Sequence, residues 1–329
     1  MAQVYFPVKV EDLEPIELDY LMYEINMYVS GVCMAFVCFN LLVLSTNKAF
    51  VQQYKILIAL NITDAIMLIS IFLEGVTRRA LYANVMKTMM GKFVNSRECI
   101  EVWTVVQVYG DFSMPLIELT MGIERFAAVM FPSFYHNKCK QTSFALIVLS
   151  FAFAGAAIAI PAGISIIWPR PNVKYLCGRK AAFGTPFGIF DYAFNVVIIT
   201  LALALNIATC FRAMKIRQSR MNMHKIKCYT GVAFMSMILI SIPNLLSLID
   251  ATWFNMPNAL IIPAPILACV NGASQFFINF AFNKEFRQCC YKMVTFGMFK
   301  GSAVVSVAKS TTIHVGGLTT SLTANKGSL

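Results

Sequence analysis

The chain has 329 residues, of which 58% are hydrophobic and only 13% charged, and its mean hydropathy is +0.67. One soluble core cannot enclose that much apolar surface, so the remainder must face lipid. The net charge of +11 would suit nucleic acid in a soluble protein. Here the bases lie in short segments between apolar runs, where they act as topology signals, and no nucleic acid is expected as a partner.

Residues 1–25 read as an N-terminal segment, with Glu11, Asp12, Glu14, Glu17 and Asp19 set against Lys9. A helical span needs about 20 predominantly apolar residues, and seven such runs follow. The first is "MYVSGVCMAFVCFNLLVLS" (27–45), and the second is "ILIALNITDAIMLISIFL" (56–73). The third runs from about Val102 to Phe131, the fourth from 143 to 168, and the fifth from Pro186 to about Cys210. "YTGVAFMSMILISIPNLLSLI" (229–249) and "ALIIPAPILACVNGASQFFINFAF" (259–282) complete the set. The first run follows acids where a signal peptide would have bases, so it stays as a helix. The expected fold class is therefore all-α, with a seven-helix bundle over 26–283.

An odd number of spans puts the termini on opposite sides. The segment between runs five and six holds Arg212, Lys215, Arg217, Arg220, Lys225 and Lys227 with no acid, so it is assigned to the cytoplasm and the N-terminus to the outside. Arg78, Arg79, Lys87, Lys92 and Arg97 break the rule, because they fall in the predicted outer loop between runs two and three. The bases of the next outer loop, Arg170, Lys174, Arg179 and Lys180, are expected to be solvated. Of ten cysteines only Cys99 and Cys177 lie in outer segments, where they either pair with each other or stay as two free thiols. Cys33, Cys38, Cys210, Cys228 and Cys269 read as packing residues, and Cys289 and Cys290, among bases just past the last run, are candidates for palmitoylation.

Polar groups inside the runs are costly in hydrocarbon and point into the bundle. Asp111, Glu118 and Arg125 recur every seven residues and form one inward stripe on the third helix, with Pro115 between them as an expected kink. Gln107 and Asp111, with Asp191, Asn195, Asn244 and Asp250, are the predicted ligand-binding residues of the outer half. An ionised Asp111 would favour an amine, and a paired one a more apolar ligand. His136, His224 and His314 are widely separated, so no metal site is expected. There is no catalytic grouping and no phosphate-cradling loop, so neither an enzyme nor a cofactor is expected. Residues 301–329, rich in Ser and Thr, read as a disordered tail.

The stretch "ERFAAVMFPSFY" (124–135) resembles the Glu/Asp-Arg-Tyr motif that ends the third helix of rhodopsin-like G-protein-coupled receptors, and the chain looks most like the nematode serpentine chemoreceptors within that class. Asn40 in "FNLLVL", Asp64 in "LNITD" and Pro243 in "ISIPNLL" match family positions; with Glu118 and Asn271 they are assigned to a polar network in the bundle. The resemblance implies a disulfide between Cys99 and Cys177 and, from "NKEFR" (283–287), a short amphipathic helix over 284–300. It implies coupling to a heterotrimeric G protein through Glu124, Arg125, Pro132 and Tyr135, with Arg217 and Arg220 of the basic segment. In that scheme Glu124 and groups on the sixth helix hold Arg125 at rest. Other implied partners are a small-molecule ligand and membrane lipid, and the implied location is the plasma membrane, with sensory cilia as its setting. Peptide receptors of the same class are the alternative, followed by a transporter or channel. The sequence departs from the family where Phe126 replaces the motif tyrosine, Ser241 the switch tryptophan, and "QFFIN" (275–279) the Asn-Pro-x-x-Tyr motif; Met114 and Gln275 replace expected sodium ligands around Asp64.

Overall fold

A computed structural model describes residues 5–7, 13–46, 48–135, 140–174, 177–216, 220–253, 256 and 263–295. In chain order the helices are α1 (Leu13–Ser45), α2 (Lys48–Gln53), α3 (Lys55–Thr88), α4 (Val102–Met130), α5 (Pro132–Phe134) and α6 (Lys140–Ile167). They continue as α7 (Arg179–Phe183), α8 (Thr185–Lys215), α9 (Arg220–Ser236), α10 (Ile242–Thr252), α11 (Ala264–Phe282) and α12 (Lys284–Val294). A π-helical turn, Met237–Ser241, joins α9 to α10. Among the described residues six helices are long and apolar enough to cross a membrane: α1, α3, α6, α8, the α9–α10 rod and α11. α4 is not one of them, since it carries Asp111, Glu118, Glu124 and Arg125. Its 29 residues nonetheless reach about 43 Å at 1.5 Å per residue. It packs against α3, α6 and α8 at once, in the middle of the bundle. Large apolar side chains such as Phe144, Leu149 and Ile160 of α6 and Val197 of α8 point outward, as a lipid-facing surface requires. The chain is a multi-pass helical membrane protein.

The bundle is helical as expected, and the N-terminal segment and the loops add one small sheet to it. At one end of the bundle β1 (Tyr5–Pro7), β2 (Met90–Val94) and β3 (Val173–Lys174) form a small antiparallel sheet with β2 in the centre. Ser96 and Arg170 extend that pairing: Ser96 N donates to Arg170 O, and Arg170 N to Ser96 Oγ, each at 2.9 Å. At this end a disulfide joins Cys99 to Cys177, with their Cα atoms 5.0 Å apart. It sits in a cluster with Val108, Phe112, Ala154 and Phe183, so the loops pack onto α4 and α6.

Two helices run farther than their apolar runs. α1 begins at Leu13, inside the segment 1–25 expected to precede the bundle, and α3 continues to Thr88, well past Leu73. At 34 residues α3 is about 51 Å long, more than a hydrocarbon core of about 30 Å needs. The two extensions pack on each other through stacked Tyr23 and Tyr82 rings, 5.7 Å apart. Tyr82 donates to Asp19 at 3.1 Å, and Arg79 pairs with Glu24 at 3.4 Å. Gly75 permits the approach, since a Cβ there would lie 2.9 Å from Tyr23 O. This contact accounts for two of the five bases that broke the topology rule. Arg78 and Arg79 are helical and engage the acidic, tyrosine-rich start of α1 instead of lying in a free loop.

The break between α9 and α10 has a local cause. Pro243 has no N–H for the carbonyl four residues back and crowds it, so the helix widens into the π-turn, closed by Ile242 N to Met237 O. The Asn244 side chain donates to Ile240 O at 2.9 Å. In α4, by contrast, the helix is continuous through Pro115.

Candidate functional site

At the disulfide end, α7 begins two residues after Cys177, and its first residue turns into the bundle. Arg179 Nη1 donates to Asp111 Oδ2 of α4 at 2.7 Å and also to Asp191 Oδ2 of α8. The three side chains are 19%, 11% and 0% exposed. Burial works against the Arg179 charge, but the fields of Asp111 and Asp191 outweigh it and hold the guanidinium well above its ordinary pKa. The expectation of a solvated base at this position is overturned, because the disulfide fixes the start of α7 directly over the two carboxylates.

Beneath this clasp lies a cavity of about 480 Å³. Of the six predicted ligand-binding residues, Gln107, Asp111 and Asn244 line it, and Asp191, Asn195 and Asp250 do not. Asp191 is occupied by Arg179 and by Asn195 Nδ2, which donates to its backbone carbonyl at 3.0 Å, and Asp250 accepts from Met256 N at 2.9 Å. Lining residues that sequence reasoning missed include Glu74 and Arg179. Glu74 stands just after an apolar run, where a charge reads as a span boundary. Pro243 also lines the cavity and makes the π-turn, so it lies outside the hydrogen-bonded network to which it was assigned.

Two polar groups fill the middle of the bundle. Glu118 accepts from Ser236 Oγ, which lies 3.1 Å from Asn271 Oδ1, joining α4, α9 and α11. A second chain links Asn40 to Asn61 at 2.6 Å, Asn61 to Gln275 at 3.0 Å, and Gln275 to Asp64, with Asn279 donating to Asn40 at 3.3 Å. The buried amides of Asn40, Asn61, Gln275 and Asn279 and the carboxyl of Asp64 thus find partners across α1, α3 and α11. Gly272 permits this closeness, because a Cβ there would meet Asp64 Cβ at 3.3 Å.

At the opposite end, Arg125 lies over the Tyr229 ring of α9, 4.5 Å from its centroid, and donates to its hydroxyl at 3.2 Å. Glu124 accepts from Tyr135 at 2.7 Å, and among the described residues it forms no ion pair with Arg125. The direct contact with Arg125 thus comes from Tyr229 on the sixth-helix run, while Glu124 acts on it only through space. Lys225, one turn before Tyr229, donates to Gln53 at 3.1 Å and lies 5.2 Å from the Tyr54 ring centroid, so α9 is also tied to the α2–α3 junction. Pro132 opens the short α5 that presents Tyr135. Arg217 lies outside the described residues, and Arg220 starts α9.

α12 buries Phe286 and Cys290 against the bundle, and its N-cap Asn283 accepts from Phe286 N at 3.1 Å. Burial raises both thiols there, Cys290 up to about 11. Cys290 packs in the core, whereas Cys289 is half-buried, so the two palmitoylation candidates occupy unlike surroundings. Residues 296–300 of the expected amphipathic helix and 301–329 of the tail lie outside the described residues.

The fold and these two ends define a helical membrane protein with a cavity near its disulfide and a capped arginine at the far end of the same central helix. The chain matches the model for the family described as serpentine type 7TM GPCR chemoreceptor Srsx over residues 36–294, and it belongs to that family. A search of curated proteins returns no match to it. Membership places it among chemoreceptors and outside enzyme families.

Proposed function

We propose that the protein is a chemosensory receptor that binds a small molecule at its disulfide end, facing the extracellular side, and activates a heterotrimeric G protein at its Arg125 end in the cytoplasm. In this reading α4, the third span in chain order, also crosses the membrane and brings the six spans to seven, and α12 is an amphipathic helix on the inner membrane surface. The observation that carries it is that α4 joins both ends: it contributes Gln107 and Asp111 to the cavity and Arg125 to the contact with Tyr229.

A cavity of about 480 Å³ suits a small organic molecule and would admit only the tip of a peptide. A ligand that fits better when the wall residues Leu239, Ile240, Pro243 and Asn244 shift acts on the weakest stretch of the α9–α10 rod, the π-turn. Motion there moves α9, draws Tyr229 from Arg125 and Lys225 from Tyr54, and opens a cleft for the G protein. The ligand supplies only its affinity difference between the two arrangements.

The test is a screen of volatile and soluble small molecules on cells expressing the full chain, reading second messengers alongside ion current and substrate uptake. An agonist that changes a second messenger, and fails to do so on Arg125→Ala at equal surface expression, supports the proposal. Current or uptake without a second-messenger response would point to a channel or transporter.

A further inference from the structure

The charges around the cavity do not balance. Asp19, Glu74 and Asp111 line it with Arg179 and Lys180, Asp191 stands behind Arg179, and Arg78 is one turn from Glu74 on α3. Four acids thus face three bases. Most of these groups have partners. Asp111 and Asp191 share Arg179, and Asp19 accepts from Tyr82. Lys180 lies 5.3 Å from the Tyr192 ring centroid, and Arg78 stacks on Trp103 and Tyr23 at 5.1 and 5.8 Å.

Glu74 is the least compensated of the four acids. Its residue is 9% exposed, its carboxylate accepts one long bond from Gln107 Nε2 at 3.4 Å, and among the described residues it forms no ion pair. Arg78 and Arg179 act on it through space without pairing with it, so this carboxylate, held out of water, lacks a cation in direct contact, and that lack is costly. Met67, Ile71, Leu239 and Ile240 form apolar wall nearby, so the charge should arrive on a body that buries carbon. A bare metal ion does not suit the site, because no group of three or more metal-ligating side chains occurs among the described residues.

We propose that the cavity takes a small organic cation with an apolar body, an alkyl or arylalkyl amine, and that Glu74, with Gln107 beside it, recognises the ammonium while Arg179 keeps Asp111 occupied. This rests on the cavity being the ligand site. It gives Asp111 a different role from that of an amine acceptor, since Arg179 already bonds its carboxylate.

The test uses the full chain purified in lipid nanodiscs, with thermal unfolding as the readout so that binding is seen without signalling. The probes are hexylamine and 2-phenylethylamine, each against the alcohol and the carboxylate of matching skeleton. At least one amine should raise the unfolding temperature while its alcohol and carboxylate do not, and Glu74→Gln should weaken that amine about tenfold or more. Carboxylates or alcohols that stabilise as well as the amines, no stabilisation by either amine, or undiminished amine affinity in Glu74→Gln would each overturn the proposal. Should Glu74→Gln not fold, the ranking of the three chemical classes on the unmodified chain decides alone. Amine binding that never drives nucleotide exchange on a G protein would remove the receptor reading and leave this inference standing; exchange driven by a carboxylate would do the reverse.

Discussion

Replacing Arg179 by glutamine tests the clasp at the disulfide end most sharply. The substitution keeps much of the side-chain volume and removes the charge. Asp191, fully buried, would keep only the Asn195 amide, 3.4 Å from its Oδ1, and Asp111 would lose its ion-pair partner. Removing one partner of a buried pair costs about 3–5 kcal/mol, because the remaining charge stays out of water without compensation. At about 2–4 °C per kcal/mol for domains approaching this size, the unfolding temperature should fall by roughly 6–20 °C. The assay is thermal unfolding of the full chain in nanodiscs, followed by thiol-reactive dye capture of the buried Cys33, Cys228 and Cys269. The combination Arg179→Gln, Asp111→Asn and Asp191→Asn should recover most of the loss, since a neutral set leaves no orphaned charge. If Arg179→Gln alone shifts unfolding by less than about 1 kcal/mol, the guanidinium is not clasped between α4 and α8 as described.

At the other end, Tyr229→Phe keeps the ring over Arg125 and loses one hydrogen bond, so basal nucleotide exchange should change little; Tyr229→Leu loses both and should raise it several-fold, as read by basal GTP-analogue binding in membranes. Opening the Cys99–Cys177 bridge by Cys99→Ser with Cys177→Ser should cost about 2–4 kcal/mol, visible as a lower unfolding temperature. Gly272→Val puts branched carbon against Asp64 and Val37 and should destabilise by about 1–3 kcal/mol, more than Gly272→Ala, in the same unfolding assay.

The membrane spans are legible in the sequence because lipid demands apolar surface over a fixed length, and the long apolar runs report that demand directly. Hydropathy is silent beyond the lipid, so it misses the extensions of α1 and α3, where Asp19, Glu24, Arg78 and Arg79 are held by tyrosines and opposite charges. α4 shows the converse: its charged stripe marks it as a central helix, yet the same charges keep it out of the six helices that are long and apolar enough to cross a membrane. Gln107 and Asp111 could be placed at the cavity from their helical face alone. Arg179 could not, because its contacts with Asp111 and Asp191 depend on where the disulfide sets α7, and a loop base of that kind looks solvated. Asp191 and Asn195 are one turn apart and bond to each other, so side chains that looked free for a ligand serve the helix instead. A sixth-helix partner for Arg125 is legible from the family resemblance, but its identity as Tyr229, 104 residues away in sequence, is not, since no local pattern announces it.

The signalling account requires the Arg125 end in the cytoplasm and the disulfide end outside, and epitope access measures this directly. Tags at Met1 and at Leu329, stained in parallel on intact and permeabilised cells, give the answer. The account predicts a Met1 tag stained on intact cells and a Leu329 tag stained only after permeabilisation. Staining of the Leu329 tag on intact cells would contradict it.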